Sequence, residues 1–519
     1  MEEATRLRLP DFPEPYWWTS VKLPAFKPLN KDIKVDVAIA GGGMTGITAG
    51  YLLVQAGLKV AILESGKILN GTTGHTTAKI TQQHALIYDE LISHIGQEGA
   101  KLYYEANLKA MNFITDMINK NDIKCGLTQE DAIVYTNSDK YINKISKEYE
   151  AYQKLGIEGA YIEDLPIPVD LKAAVVMKNQ YQFHPLKYLN HLVDDFVNKG
   201  GMIFEETTAK DIEKDNSLRI RTKNGHAVDC KHIICSSHYP FFDGYGHYYA
   251  RMHAERSYIV AIKPRSHFPG GMYINAEDPT RSLRFVENGN GERLVLVAGE
   301  NHKTGKDSNT HANYEALRDF GEKIFGIEKV LNMWSAQDLT TIDKIPYIGE
   351  ITNEKKNIYI ATGYRKWGMT NSTSAALIIA DAILEKENPF AYLFKPTRFI
   401  ADPSIKNFII QNTDVGIEFV SGKLSIITKE PKNLRKDEGG VVTVNGRKAG
   451  GYRDSEGHLH VVDSTCTHLG CEVKWNSGDR TWDCPCHGSR FSFDGEVVEG
   501  PAMKALEKIE VEDKILIEK

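Results

Sequence analysis

The chain has no long apolar run, no block of lysine and arginine, no internal repeat and few cysteines, and each shortage closes off a class of protein. No uninterrupted apolar stretch reaches the roughly 20 residues that a membrane helix needs. Between Met1 and Pro15 there are acids and prolines instead of a basic segment ahead of an apolar core. Neither a membrane span nor a secretory leader is expected, and the expected location is the cytoplasm. A formal net charge of −6 without a cationic cluster gives no electrostatic footprint for nucleic acid or for an anionic membrane, so neither is an expected partner. What remains is an ordinary globular composition, 25% charged and 41% hydrophobic over 519 residues, long enough for two or three domains.

Of the 7 cysteines, Cys125, Cys230 and Cys235 are scattered and read as buried apolar side chains. The others fall in two boxes, Cys466-Thr467-His468-Leu469-Gly470-Cys471 and Cys484-Pro485-Cys486-His487-Gly488-Ser489. Cys-x-His with Cys-x-x-His supplies two thiolates and two imidazoles from two loops, which is a Rieske [2Fe–2S] set. Cys466 and Cys484 would hold one iron, and His468 and His487 the other. Neutral imidazoles make the cluster less negative and easier to reduce, so the expected chemistry is single-electron transfer. Structural zinc uses the same residue types, but its usual pairs are spaced by two or more residues and end in two close histidines. That spacing is absent here.

Both boxes resemble the Rieske proteins of cytochrome bc1 and b6f complexes over about the last hundred residues. The segment Gly500-Pro501-Ala502 is similar to the proline loop that closes over their cluster. The resemblance implies a disulfide between Cys471 and Cys486 and a hydroxyl hydrogen bond from Ser489 toward a cluster sulfur. It departs at Phe491, where the respiratory proteins carry tyrosine.

At the other end, Val35 to Ala40 reads as a buried strand, Gly41-Gly42-Gly43-Met44-Thr45-Gly46 opens an apolar helix to about Gly57, and Lys59 to Glu64 returns as a second strand. This is a Rossmann unit. Gly41 permits the turn, Gly43 lets backbone approach a pyrophosphate at the helix N-terminus, and Gly46 allows close packing. Glu64 stands where an acid accepts hydrogen bonds from ribose hydroxyls. Far downstream, a strand from Asn357 enters a second glycine loop, Gly363 to Thr370, with Gly368 and Met369 inside it, preceded by Trp334 to Gly349. Over about residues 30 to 390, including Tyr181-Gln182-Phe183-His184-Pro185, the chain resembles the D-amino-acid oxidase-like family of glycine and sarcosine oxidases. The resemblance implies FAD along Gly41, Gly43, Met44, Thr45, Gly46, Glu64, Gly363, Gly368, Met369 and Thr370. The loop Gly71-Thr72-Thr73-Gly74-His75-Thr76 is similar to that of dimethylglycine and sarcosine dehydrogenases, whose histidine bonds covalently to flavin. His75 either does so or only packs beside the flavin edge.

Arg365 and Lys366, in the second glycine loop, are candidates to stabilise reduced flavin or a substrate carboxylate, with Arg256 and Arg284 as second candidates for that carboxylate. Each can equally be a surface cation. His247 and His253 read as loop and lobe residues in preference to a mononuclear iron site, and His238 as a neighbour of the flavin. The expected architecture is an α/β FAD-binding Rossmann-like domain with an α+β antiparallel-sheet substrate lobe, plus a C-terminal all-β Rieske domain. Residues 1–396 would form the oxidoreductase, with its FAD part at about 30–90, 165–240 and 335–395 and its substrate lobe at about 91–164 and 241–334. Residues 397–422 would be a partly helical linker and 423–519 the Rieske domain.

The family resemblance implies an amine or amino-acid substrate whose C–H bond next to nitrogen delivers hydride to flavin N5. The cluster would then drain the electrons singly to an external carrier at its exposed histidine edge. A reductase running electrons inward, and a redox-sensing binding protein, remain alternatives. Hydrogen bonds to cluster sulfurs raise the potential, so Phe491 predicts a midpoint below that of the respiratory proteins yet within roughly −150 to +300 mV. Redox titration of Phe491→Tyr is expected to show an upward shift; an unchanged midpoint would remove the argument.

Overall fold

Val37–Ala40 and Val60–Leu63 hold no polar residue and are buried along their whole length, as strands covered on both faces must be. They pair in parallel near the middle of a six-stranded sheet ordered Tyr347–Glu350, Ile358–Thr362, His232–Cys235, Val37–Ala40, Val60–Leu63, Met202–Phe204. Within it only Tyr347–Glu350 runs antiparallel to its neighbour. Three helices, Met44–Gln55, Pro185–Asn198 and Gly368–Ile383, pack together against this layer. Pro185 starts its helix where a missing N–H costs nothing, and the His184 ring accepts the Lys187 N–H as cap. The computed structural model describes residues 7–214, 217–243, 246–289, 291–307, 309–424 and 429–511. The outer parts of the expected domains at 1–6, 425–428 and 512–519 lie outside the described residues.

A second, larger sheet roofs the first. Its order is Ile327–Thr341, Met252–Pro264, Arg293–Lys303, Arg281–Glu287, Met272–Asn275, Thr128–Thr136, Ala173–Gln182, Lys79–Ile80, with Gly159–Ile162 also on Ala173–Gln182. All neighbours are antiparallel except Met272–Asn275 beside Thr128–Thr136. Alternation along Met252–Pro264 separates two faces. Tyr258, Val260 and Ile262 pack outward with Leu317 of helix His311–Phe325, whereas Ile259 and Ala261 face the inner core with Trp334 and Leu296. The lobe's long helix Tyr88–Lys120 breaks at Gly96, whose φ of 74° no ordinary helix residue adopts.

Where a partly helical linker is expected, the helix Ala401–Leu424 takes up most of the segment, interrupted at Asp402. Its Asn407 and Asn412 side chains donate to the carbonyls of Ile342 and Ala250, and Asp414 pairs with Lys303 and Lys306. After it come two small antiparallel sheets. One is Glu438–Val444, Arg447–Arg453 and Leu459–Asp463; the other is Lys474–Asn476, Thr481–Asp483, Arg490–Ser492 and Val497–Glu499. Asn445 and Gly446, both at positive φ, form the tight turn of the first hairpin. Among the described residues no helix is long and apolar enough to cross a membrane.

Candidate active site and redox centre

The first glycine loop is shaped by what has no room. Gly41 lies at φ +112°, where an added side chain would meet the Ser236 carbonyl, and one at Gly46 would run into the carbonyl of Gly41. Gly43 caps the helix Met44–Gln55, whose first turn is thereby open to an anion. Glu64 organises the loop, its carboxylate accepting the N–H groups of Gly42 at 2.8 Å and Gly66 at 2.9 Å. The Thr73 hydroxyl accepts the Met44 N–H at 3.0 Å, which ties the Thr72–His75 turn to the same helix start.

The second glycine loop closes onto the first. Thr45 Oγ1 and the Tyr364 hydroxyl are 2.9 Å apart. Gly363, at φ +79°, packs against Thr341, and Arg365, at φ +55°, donates its N–H to the Leu339 carbonyl. Gly368 and Met369 begin the helix Gly368–Ile383, and Thr370 donates to the Thr81 carbonyl at 3.1 Å. Two backbone-tight glycine loops, an acid at the strand end and an open helix start fit a dinucleotide. Gly41, Gly43, Met44, Thr45, Gly46 and Glu64 would hold its phosphate and ribose side, and Thr72, Thr73, His75, Thr76, Gly363, Gly368, Met369 and Thr370 its ring side.

His75 lies between these loops and the C-terminal domain. Its Nδ1 is 2.9 Å from the Gly71 carbonyl, its own carbonyl accepts the Trp334 indole N–H, and the Thr76 carbonyl accepts that of Trp17. Burial pushes the imidazole down, against the Gly71 carbonyl and the charge of Glu499 from the C-terminal domain. His238, at φ 62°, is half-buried with its Nε2 buried and unpartnered, and its imidazole is likewise lowered by desolvation against Glu499.

In the C-terminal domain, Cys466 and Cys484 are buried free thiols, and burial is equally true of Cys125, Cys230 and Cys235. The imidazoles of His468 and His487 stand 5.0 Å apart at 90°. His468 Nδ1 is buried without a hydrogen-bond partner, as an unmet metal donor would be. Cys471 and Cys486 form a disulfide with Cα atoms 6.5 Å apart, locking the two loops together. The Ser489 hydroxyl accepts the Ala502 N–H at 3.0 Å, so the proline loop is pinned over the same spot. Thiolates, imidazoles and closure fit a [2Fe–2S] cluster ligated by Cys466, Cys484, His468 and His487.

The two halves meet across a buried ionic knot. Arg256 is fully buried, and its guanidinium reaches Asp479 and Glu499, each at 3.1 Å, and the Ser335 hydroxyl. Arg490 lies 2.9 Å from Asp479, 3.1 Å from Asp483 and 3.5 Å from Glu499, and the Tyr314 hydroxyl donates to Asp479. Burial alone would raise the Asp479 and Glu499 carboxyls, but the two guanidiniums outweigh it and hold both below the usual range. Beside the knot, the Gln337 side chain donates to the Gly488 carbonyl at 2.9 Å, while its backbone carbonyl accepts the Thr72 hydroxyl at 3.4 Å. One residue therefore touches both a cluster loop and the His75 turn.

Two expectations change here. Arg256 is not free for a substrate carboxylate, because its charge is taken up by carboxylates of the C-terminal domain. The histidine edge is only partly exposed: His487 is buried, His468 is half-buried, and Tyr249 packs edge-on against His487 at 5.7 Å and His468 at 6.1 Å. Ser335, Gln337, Asp338, Tyr249 and the acids of the C-terminal domain were not singled out by the sequence. The run from Trp334 to Asp338, with polar residues inside a buried strand, was the available signal. Arg284 is 1% exposed, donates to the carbonyls of Phe285 and Ala78, and lies 5.5 Å from the Trp17 ring. Lys79 donates to the Tyr273 carbonyl. Arg365 donates to the His84 carbonyl and leaves Nη1 buried and unpartnered, and Lys366 donates to the Ser257 hydroxyl at 2.9 Å.

Removing one partner from a buried ion cluster leaves the others uncompensated. Arg256→Ala is expected to lower unfolding free energy by about 3–5 kcal/mol, read as the denaturation midpoint of the holoprotein. A change below about 1 kcal/mol would show that the knot is not a fixed contact.

A family model described as FAD dependent oxidoreductase, DAO, matches residues 36–382, and one described as the Rieske [2Fe-2S] domain matches residues 426–510. Over 500 residues the chain is 49% identical to the Rieske 2Fe-2S iron-sulfur protein YhfW of Bacillus subtilis (strain 168), covering 96% of this chain and 98% of that one. It is 22% identical over 390 residues to gamma-glutamylputrescine oxidoreductase of Escherichia coli (strain K12), covering 72% and 89%. The crystal structure of glycine oxidase from Geobacillus kaustophilus shares the fold of the first part, with a TM-score of 0.59 at 19% identity over 71% of this chain and 100% of that chain. FAD and a [2Fe–2S] cluster are accordingly its cofactors. The chain belongs to the FAD dependent oxidoreductase (DAO) family and carries a Rieske [2Fe-2S] domain as its C-terminal part.

Proposed function

We propose that this oxidoreductase is a dehydrogenase for a small amine or amino acid, and that its electrons leave one at a time through the Rieske domain to an external carrier. The observation that carries the reading is the Arg256 knot, which holds the cluster loops against the same strand that supports the His75 turn. When bound, FAD supplies a hydride acceptor for the C–H bond next to nitrogen, and the cluster supplies a one-electron acceptor.

The chain's own residues account for substrate binding. Arg284 faces inward, since it pairs in register with the inner-core residue Leu296. Burial pushes its guanidinium down to about 9 and the neighbouring Lys79 amine, with Arg284 adding repulsion, down to about 7. Among the described residues neither has a carboxylate within ion-pair distance; their hydrogen bonds run to carbonyls. Buried Arg284, on which only Glu130 acts as a counter-charge, and half-buried Lys79 make a receptor for a carboxylate, which would favour the charged form of both. The buried Trp17 and Trp334 indoles hold the His75 turn by donating to the Thr76 and His75 carbonyls. On the far side of the cluster the carrier would meet Leu469, 51% exposed and next to His468, because Tyr249 covers the inner side. An amine substrate is also what the named relative gamma-glutamylputrescine oxidoreductase suggests.

Anaerobic mixing with a panel of secondary amines and amino acids is expected to bleach the flavin and reduce the cluster together for at least one compound. For a substrate bearing a carboxylate, Arg284→Met should raise KM by about tenfold or more, with a smaller effect on kcat. Flavin bleaching while the cluster stays oxidised would count against the electron route, and bleaching only by an external reductant would favour the reductase.

A further inference from the structure

Among the described residues, thirteen large apolar side chains are exposed, and eight of them lie between Tyr392 and Val420. Six belong to helix Ala401–Leu424: Ile405, Phe408, Ile409, Ile410, Ile417 and Val420, each 42–60% exposed. Scattered singly, such residues need no explanation. Gathered on one helix, they mark a surface that something covers.

The helix cannot roll this face inward, because its polar face is already engaged. Asn407 and Asn412 donate to the carbonyls of Ile342 and Ala250, and Gln411 lies 2.8 Å from His253. Asp414 pairs with Lys303 and Lys306, and Glu418 with Lys306 and Lys474. Val415 and Phe419 pack on the core around Cys466 and Cys484. Between Ile405 and Ser421 the exposed positions hold a single charge, Lys406.

The spacing of the open face suits a second helix. Lys406, Ile410, Thr413, Ile417 and Val420 recur at intervals of four, three, four and three, the period that keeps one seam along two helices wound on each other. Gly416 stands beside the seam with open space where a side chain would be, so a neighbouring backbone can come close. With Thr413, Gly416 and the Lys406 stem, the face amounts to on the order of 700 Å², near the roughly 800 Å² that each partner gives to an interface of standard size. It exceeds the roughly 300–600 Å² of the largest patch on a typical monomer. A lipid surface is a poorer match. A helix lying on lipid carries lysine and arginine on its polar face, whereas here that face carries amides and acids and is covered by the chain itself.

We propose that this face pairs two copies of the chain through an antiparallel, twofold-related pair of helices Ala401–Leu424. With the axis at Thr413, the middle of the seam, Ile410 falls beside Gly416 and Ile417 of the second copy, so a large side chain meets a small one. The seam's single charge decides the direction. Antiparallel helices carry Lys406 to the C-terminal end of the second helix, where the dipole favours a cation, whereas parallel helices would bring two Lys406 ammonium groups together. The same helix holds the flavin lobe through Asn407 and Asn412 and the cluster domain through Val415 and Phe419. Pairing therefore braces the contact between the two parts in both copies at once.

Sedimentation velocity of the holoprotein at about ten micromolar tests this. The parent should sediment at twice the chain mass. Ile410→Glu combined with Ile417→Glu should weaken association by on the order of a hundredfold or more and give the single-chain mass, with flavin absorbance and the cluster EPR signal retained as proof of folding. Thr413→Cys, at the axis, should form a covalent dimer with a short bismaleimide, and Ile405→Cys, about 24 Å along the helices from its copy, should not. A parent at the single-chain mass, a dimer that survives the double substitution, or equal cross-linking of the two cysteine variants would overturn the proposal. A parent of single-chain mass that sediments with phosphatidylglycerol vesicles, and a double variant that does not, would overturn it too and assign the face to a lipid surface.

Discussion

Everything about this protein as a redox chain depends on two arginines buried between three carboxylates. Arg256 comes from the oxidoreductase part, and Arg490, Asp479, Asp483 and Glu499 come from the Rieske part. Such a knot is a poor source of net stability, because desolvation offsets most of the attraction. What it supplies is geometry. A guanidinium with its donors fixed in a plane tolerates few arrangements of its acceptors, so the small domain is held in one orientation. That orientation brings Gly488 to Gln337 and the two histidine rings to Tyr249. Gly488 itself lies against Ala254 and Gly305 against Pro485, contacts too close for any side chain.

The same pairing of strands serves both redox partners because a strand presents alternate residues to opposite faces. Along Ile327–Thr341, Ser335 and Gln337 address the Rieske part, while Trp334 and Asp338 turn the other way.

The parts legible in the sequence are those where chemistry demands particular residues at short spacing. Gly41 and Gly46 are fixed by backbone crowding, and Cys466, His468, Cys484 and His487 by the ligand set, so both can be placed from the residues alone. The role of Arg256 was not legible, because its partners Asp479 and Glu499 lie 223 and 243 residues away and nothing local marks an arginine as an interface residue. For the same reason the histidine edge reads as fully exposed from the cluster boxes alone, although Tyr249 packs against both rings and His487 is buried. Asp338 is hidden because an acid inside an apolar strand looks like any other polar interruption until its missing partner is seen. The linker reads as mixed because helix Ala401–Leu424 turns Asn407, Gln411, Asn412 and Asp414 toward the lobes and leaves Phe408, Ile409, Ile417 and Val420 exposed, the reverse of an ordinary surface helix.

The central claim is that the cluster is docked permanently against the flavin lobe and needs no domain swing to receive electrons. Flash reduction of the flavin in the holoprotein, followed by the rate of cluster reduction at increasing solvent viscosity, tests it directly. Fixed docking predicts a rate that does not change with viscosity. A rate that falls in proportion to viscosity would show that the domain must move, and would contradict the account.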